Sequence, residues 1–97
     1  MKIVIHAPTS AALRRARAFA RTLHAKDEDA AIVIVADGDG AATAVKEPDS
    51  VTDGWLVLCE CALTELSLVK PPGVESTDNC IFLIAKLQRK GWSYCRA

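Results

Sequence analysis

The sequence predicts an α/β protein in which a parallel sheet is covered by helices on both faces. Strand-like and helix-like segments alternate along the chain, and turn-forming residues separate them. The strand-like runs are apolar throughout, which is typical of parallel strands buried on both faces. Since the chain has 97 residues, we expect residues 1–97 to form a single domain.

The first half of the chain contains two predicted strands and one long helix. The β-branched run KIVI at residues 2–5 predicts the first strand, and HAPTS closes it as a loop. A helix is expected from Ser10, whose hydroxyl can cap the free N–H groups of the first turn, to about residue 24. The second strand is AIVIVA at 31–36. The residues predicted on the buried face of the helix are Leu13, Ala16, Phe19, Ala20 and Leu23, with Arg14, Arg17 and Arg21 predicted on its solvated face.

The second half predicts shorter elements. DGDG after the second strand indicates a turn and helix cap, and AATAVKEP holds at most two helical turns. WLVLC at 55–59 is a third buried strand, followed by a short helix in ALTELSL and a brief strand near Val74. Thr77 or Asp78 can cap a last helix that ends at Gly91, and WSYCR closes the chain as a strand. The inward residues predicted for that helix are Ile81, Ile84, Ala85 and Leu87.

Charge and hydropathy exclude several classes of protein. The 12 basic and 12 acidic residues cancel, and no dense Lys/Arg block is present, so binding to nucleic acid is not expected. No apolar run approaches the ~20 residues that span a bilayer, so no membrane segment is expected. The N-terminus lacks the pattern of a signal peptide, which predicts a cytoplasmic protein. Its cysteines should therefore stay reduced: Cys59, Cys61, Cys80 and Cys95.

Cys59 is the principal candidate for chemistry because it ends the third predicted strand. Ligands and reactive groups of open parallel sheets gather beyond the carboxyl ends of the strands. The helix that follows would favour a thiolate there, whereas Glu60 and Glu65 would oppose one. Cys59 and Cys61 can therefore be read as a reactive site, as two small buried apolar residues, or as metal ligands.

His6 follows the first strand at the same edge of the sheet and could act as a base beside Cys59. Cys80 and Cys95 could also lie near Cys59, which sequence alone does not decide. A C-x-C pair supplies only two metal ligands, and the remaining cysteines and histidines occur singly, so no metal site is predicted. DGDGAATA matches neither a dinucleotide fingerprint nor a calcium loop, and no cofactor is expected.

Three further segments, taken together, resemble a known family. LVLCECALTELSL, PPGVES and NCIFLIAKLQRKGWSYCRA are similar in order and spacing to the C-terminal half of short DsrE/DsrF-like proteins. In that family a strand ends in a cysteine, a PGV segment follows, and a helix with LQ..G leads into an aromatic strand. The segments MKIVIHAPT, ALRRARAFARTL and IVIVADGDG resemble the family's first two strands and first helix. The resemblance covers nearly the whole chain.

The resemblance implies a three-layer α/β/α sandwich of the flavodoxin-like class, with a mainly parallel five-stranded sheet. It also implies a cytoplasmic homo-oligomer, a trimer or hexamer, and we expect Trp55, Trp92 or Phe82 to be buried between its subunits. Some members of the family carry persulfide sulfur on the cysteine that corresponds to Cys59. Donor or acceptor proteins for sulfur would then be the partners.

The sequence departs from the family pattern just after Cys59, where Glu60 and Glu65 replace small, polar or basic residues. Cys61 is an extra thiol that could resolve a persulfide, although one-residue spacing makes a strained ring. Two alternatives to sulfur transfer stay open. One is a ligand-binding or assembly module with structural cysteines, and the other is a thiol enzyme that uses Cys59 with His6.

Overall fold

The computed structural model describes all 97 residues and contains five strands and four α-helices. None of these helices combines the length and apolar character that crossing a membrane requires. A 3₁₀ turn at Asp53–Trp55 precedes the third strand. The elements in chain order are β1 (Lys2–Ala7), α1 (Ser10–Lys26), β2 (Ala31–Ala36), α2 (Gly38–Lys46), β3 (Leu56–Cys59), α3 (Glu60–Glu65), β4 (Glu75–Thr77), α4 (Cys80–Arg89) and β5 (Ser93–Arg96).

All five strands are parallel and lie in the order β4-β3-β2-β1-β5. The predicted α/β class and parallel sheet are therefore confirmed. The strand order differs from that of flavodoxin itself, in which the second strand lies at an edge of the sheet. Here β2 is interior, because the chain steps from β1 to β4 in one direction before it returns to add β5.

The helices form two layers around the sheet. Helix α1 contacts α2, and α2 contacts α3. The connections from β1 to β4 all run in one direction across the sheet, so right-handed crossovers place these three helices on the same face. Helix α4 makes the reverse connection, from β4 to β5, and the same rule puts it on the opposite face. The sheet is thus covered by three helices on one side and one on the other.

The core is densest beneath the three-helix layer. Ile5, Ile34 and Leu58 point toward this layer and are fully buried. On the α4 side, Val33 and Val57 are only half-buried, because a single helix covers less of the sheet. This incomplete cover leaves Val33 and Val57 partly accessible to solvent on the α4 side of the sheet.

Two helix caps differ from the sequence prediction by one or two residues. Thr9, not Ser10, caps α1, and its hydroxyl accepts from the amide of Ala12 at 3.0 Å. Asn79, not Thr77 or Asp78, caps α4 in the same way. Both caps have extended backbones, which point the side-chain oxygen at the free N–H groups of the first turn.

The buried faces of α1 and α4 also correct the prediction. Phe19 is 42 % exposed, whereas Arg17 is buried, because residue 17 faces the segment that follows α2. On α4, Ile81 is 63 % exposed and Ala85 is also exposed. The residues of α4 that turn inward are Cys80, Leu83, Ile84 and Leu87. The apolar stripe therefore begins one residue earlier than predicted.

Arginines of α1 hold the segment 47–53 against the domain. Arg17 donates to the carbonyl of Glu47 at 2.6 Å and to the carboxylate of Asp53 at 3.0 Å. Arg14 pairs with the side chain of Glu47, and Arg21 pairs with Asp49. The hydrogen bond from Arg14 lowers the pKa of Glu47. The prediction of a uniformly solvated arginine face is therefore wrong at Arg17.

Two glycines meet specific backbone requirements. Gly91 has φ +90°, which confirms its predicted role as a left-handed helix stop. Gly40 lies in the first turn of α2, so DGDG runs into the helix instead of forming a separate turn. A Cβ at Gly40 would come within 2.0 Å of the carbonyl oxygen of Ala7. The start of α2 is thus pressed against the end of β1.

Candidate functional site

A cleft of about 300 Å³ opens where the chain leaves β3 and β4 toward opposite faces of the sheet. After β3 the chain enters α3 in the three-helix layer, and after β4 it enters α4 on the other side. A crevice at such a switch point is where open α/β sheets bind ligands. The cleft is lined by Asp37, Gly38, Cys59, Cys61, Ala62, Glu65, Asp78, Asn79, Cys80 and Ile81.

Three of the four cysteines share this cleft. Cys59 ends β3 and occupies the N-cap position of α3. Cys80 is the first residue of α4, and Cys61 lies in the first turn of α3. Cys59 is 5 % exposed and Cys80 6 %, whereas Cys61 is exposed. Cys59 thus lies at the predicted edge of the sheet, but its sulfur is reached through the cleft and not from an open surface.

Asp37, which follows β2, contacts Cys80. The Cys80 Sγ donates to Asp37 Oδ2 over 3.4 Å. Burial, followed by hydrogen bonding to Cys59 and to Asp37, raises the pKa of Cys80 to about 12. At neutral pH Cys80 is therefore a protonated thiol that serves as a hydrogen-bond donor.

Cys61 is also held as a thiol. Its Sγ lies 3.8 Å from the carbonyl oxygen of Asp78, within hydrogen-bonding range for sulfur. The negative charge that Cys59 carries when ionised is the main factor that raises the pKa of Cys61, with smaller contributions that include Glu65. Glu60 accepts a hydrogen bond from Ser76 at 2.8 Å and does not line the cleft. Glu60 and Glu65 were both expected to oppose ionisation of Cys59, but only Glu65 lines the cleft.

His6 reaches the cleft only through Asp37. Its Nδ1 lies 3.0 Å from the hydroxyl of Tyr94 and its Nε2 lies 3.4 Å from Asp37 Oδ2. Because β2 separates β1 from β3, the ends of these two strands are about 10 Å apart at the usual strand spacing. Instead of a Cys59–His6 pair, the structure contains a polar chain that runs from Tyr94 through His6 and Asp37 to Cys80.

The remaining candidates lie apart from the cleft or do not combine into a metal site. Cys95 lines a separate groove with Ile3 and Phe19, between β1, β5 and α1. No group of three or more His, Cys, Asp or Glu side chains is arranged to hold a metal ion.

The sequence left the position of Cys80 open and did not identify Asp37 as a neighbour of the thiols. The available signal was that Asp37 follows a strand at the same edge as Cys59.

No protein-family model and no curated protein matches the chain. The chain is similar in structure to a solved protein of unknown function from Methanobacterium thermoautotrophicum, with a TM-score of 0.82. The two are 19 % identical, and the match covers 99 % of this chain and 98 % of the other. At this level of identity the likeness establishes the fold alone.

Proposed function

We propose that the chain is a sulfur-handling protein of the DsrE/DsrF-like type, in which Cys59 carries a persulfide. The observation that supports this most strongly is that Cys59 borders the switch-point cleft between two other cysteines, Cys61 and Cys80. The pKa values of Cys61 and Cys80 are both raised, so these two thiols are the weaker candidates, and we assign the nucleophile to Cys59. A cysteine that only packs in the core does not need to border a cleft.

The chemistry needs only thiol exchange. The thiolate of Cys59 attacks the outer sulfur of a donor persulfide, the donor's S–S bond breaks, and the donor leaves as a thiolate. The outer sulfur is then bound to Cys59. Attack by an acceptor thiolate on that sulfur returns Cys59 to its starting form.

The partners in this proposal are sulfur-donor and sulfur-acceptor proteins. Cys59 is nearly buried, so the partner must present its sulfur on a segment narrow enough to enter the cleft. Glu65 and Asp78 lie at the cleft, which favours a segment with positive charge. Because the cycle requires Cys59 as a free thiol, we also propose a reducing compartment, the cytoplasm.

Treatment of the reduced protein with inorganic polysulfide is expected to add sulfur to Cys59. Intact-mass analysis followed by peptide mapping measures this addition. Cys59→Ser should lower it at least about tenfold, because the other two cleft thiols have raised pKa values and Cys95 lies in a separate groove. Cys95→Ser is the matched control and should load like the unaltered chain, since Cys95 lies outside the cleft. If loading does not depend on Cys59, the cysteines are structural and the carrier proposal fails.

We further propose that the protein assembles as a homo-oligomer, a trimer or hexamer, through α4. Phe82 and Ile81 on this helix are 67 % and 63 % exposed, beside a groove lined by Lys86, Arg89 and Lys90. Exposed apolar side chains that cluster on one helix are typical of an interface. Trp55 and Trp92, the other candidates, are half-buried within the chain itself.

Light scattering at micromolar concentration is expected to give a trimeric or hexameric mass, and Phe82→Ser should reduce it toward the monomer. The expected cause is the loss of a large apolar contact at the centre of the interface. Phe19→Ser is the control, because Phe19 is also exposed but lies on α1 in the other layer. A monomer for the unaltered chain would contradict the proposal.

A further inference from the structure

A persulfide on Cys59 has two possible fates, because Cys80 lies beside it. An acceptor protein can take the outer sulfur, or Cys80 can attack the sulfur of Cys59 itself. In the second case the Cys80 thiolate forms a Cys59–Cys80 disulfide, the persulfide bond breaks, and the outer sulfur leaves as hydrosulfide. The proton of Cys80 passes to solvent, and no outside oxidant or reductant takes part. This route would turn a carrier into a protein that discharges its sulfur.

We propose that the carboxylate of Asp37 restrains Cys80 from attacking sulfur bound to Cys59, so that the sulfur is kept for a partner instead of being released as hydrosulfide. Asp37 acts as a positioning residue and does not touch the sulfur that is transferred. The inference rests on the proposed function, and it assigns a role to a contact between β2 and α4 that this function alone does not require.

Two features support the restraint: the thiol of Cys80 donates its proton to Asp37, and Asp37 carries a negative charge. The S–H of Cys80 points at Asp37 Oδ2 over 3.4 Å, so its proton is engaged by the carboxylate. Loss of that proton would leave two negative charges in contact inside a nearly buried site. Burial, then hydrogen bonding to Cys59 and to Asp37, raises the pKa of Cys80 to about 12, so Cys80 is almost entirely protonated at neutral pH.

The surrounding contacts hold Asp37 in place. His6 Nε2 lies 3.4 Å from both carboxylate oxygens of Asp37, and Tyr94 fixes the other ring nitrogen of His6. Cys61 is less suited to resolve the persulfide, because it is exposed and only one residue from Cys59. Cys80 comes from a different element and meets Cys59 across the cleft. The second thiol that matters is therefore Cys80.

The test uses a chain with Cys61→Ser and Cys95→Ser, which leaves only Cys59 and Cys80. Cys59 is loaded with inorganic polysulfide, the excess is removed, and hydrosulfide release and disulfide formation are followed over time. Asp37→Asn is expected to speed both at least about tenfold, the effect of a one-unit fall in a thiol pKa. When Cys80→Ser is combined with Asp37→Asn in the same chain, the acceleration should disappear.

Asp39→Asn is the matched control, since Asp39 is exposed, two residues away, and does not line the cleft. It should leave the rate of release unchanged. Asparagine and serine are both favoured at the N-cap position that Asp37 occupies, so Asp37→Asn and Asp37→Ser are expected to fold and to give the same acceleration. Release that is equally slow in both variants would overturn the inference.

A second experiment distinguishes a failure of this inference from a failure of the proposed function. Methyl methanethiosulfonate places a methyl disulfide on Cys59, and attack by Cys80 then releases methanethiolate by the same bond exchange. If polysulfide does not load Cys59 but Asp37→Asn still speeds methanethiolate release, the carrier function fails and the restraint stands. If methanethiolate release is the same with and without Asp37→Asn, the restraint fails whether or not sulfur loads.

Discussion

Replacing Gly40 by alanine is expected to lower the free energy of unfolding by about 3 kcal/mol. In an ordinary helix the same change stabilises by about 1 kcal/mol, so the expected sign is reversed. The added Cβ would lie 2.0 Å from the carbonyl oxygen of Ala7 and 3.2 Å from that of Thr9. Both are backbone atoms that cannot rotate away, so α2 must move off the end of β1.

Urea denaturation of the unaltered chain, Gly40→Ala and Gly54→Ala measures the effect. Gly54 is the matched control, because nothing lies within 4 Å of a Cβ built there and its φ is not left-handed. We expect Gly54→Ala to change the stability by no more than about 0.5 kcal/mol. Similar losses for the two substitutions would show that the contact with Ala7 is not the cause.

Replacing Arg17 by methionine is expected to cost about 3–5 kcal/mol of unfolding free energy. Methionine keeps much of the length of the side chain but removes both hydrogen bonds. The carbonyl of Glu47 and the carboxylate of Asp53 then lose their partner, and Arg17 itself is only 6 % exposed. Most of the cost is the penalty of leaving the partly buried carboxylate of Asp53 and the carbonyl oxygen of Glu47 without the donor that pairs with them.

Arg14→Met is the control for Arg17→Met, since Arg14 also pairs with the 47–53 segment. Its side chain is 59 % exposed and that of Glu47 is 48 % exposed, so the pair is screened by solvent. We expect a loss much smaller than that of Arg17→Met, and a still smaller one at high salt. Thermal or urea unfolding of the two variants side by side makes the comparison. Equal losses at both positions would contradict a special role for Arg17.

The fold was largely predictable because its signals are local. The continuous apolar run at 31–36 can only be buried on both faces, which is what β2 does in the interior of the sheet. Gly91 likewise ends α4 for a reason visible in the sequence. Arg17 was not predictable, because its burial depends on where the 47–53 segment passes over α1. Helical spacing alone does not distinguish Arg17 from Arg14.

The candidate site was only half predictable. Cys59 could be located, because the end of a parallel strand marks an edge of the sheet whatever the strand order. Its meeting with Cys80 depends on β4 lying next to β3, which the brief strand near Val74 does not reveal. The part played by Asp37 depends on the same order. Contacts between side chains from separate strand–helix units depend on the order of the strands in the sheet. The local sequence around each residue does not predict that order.

The strand order also has a consequence during protein synthesis. β5 pairs with β1, so that Ile3 lies opposite Ser93 at the far end of the chain. On the ribosome, β1 emerges first and β5 last, and one side of β1 stays without its hydrogen-bonded neighbour throughout translation of the residues between them. His6 also lacks Tyr94 for that time, so the polar chain leading to Cys80 is completed only after α4 has been made. Chaperone contact with a nascent chain of this protein should therefore centre on the open side of β1.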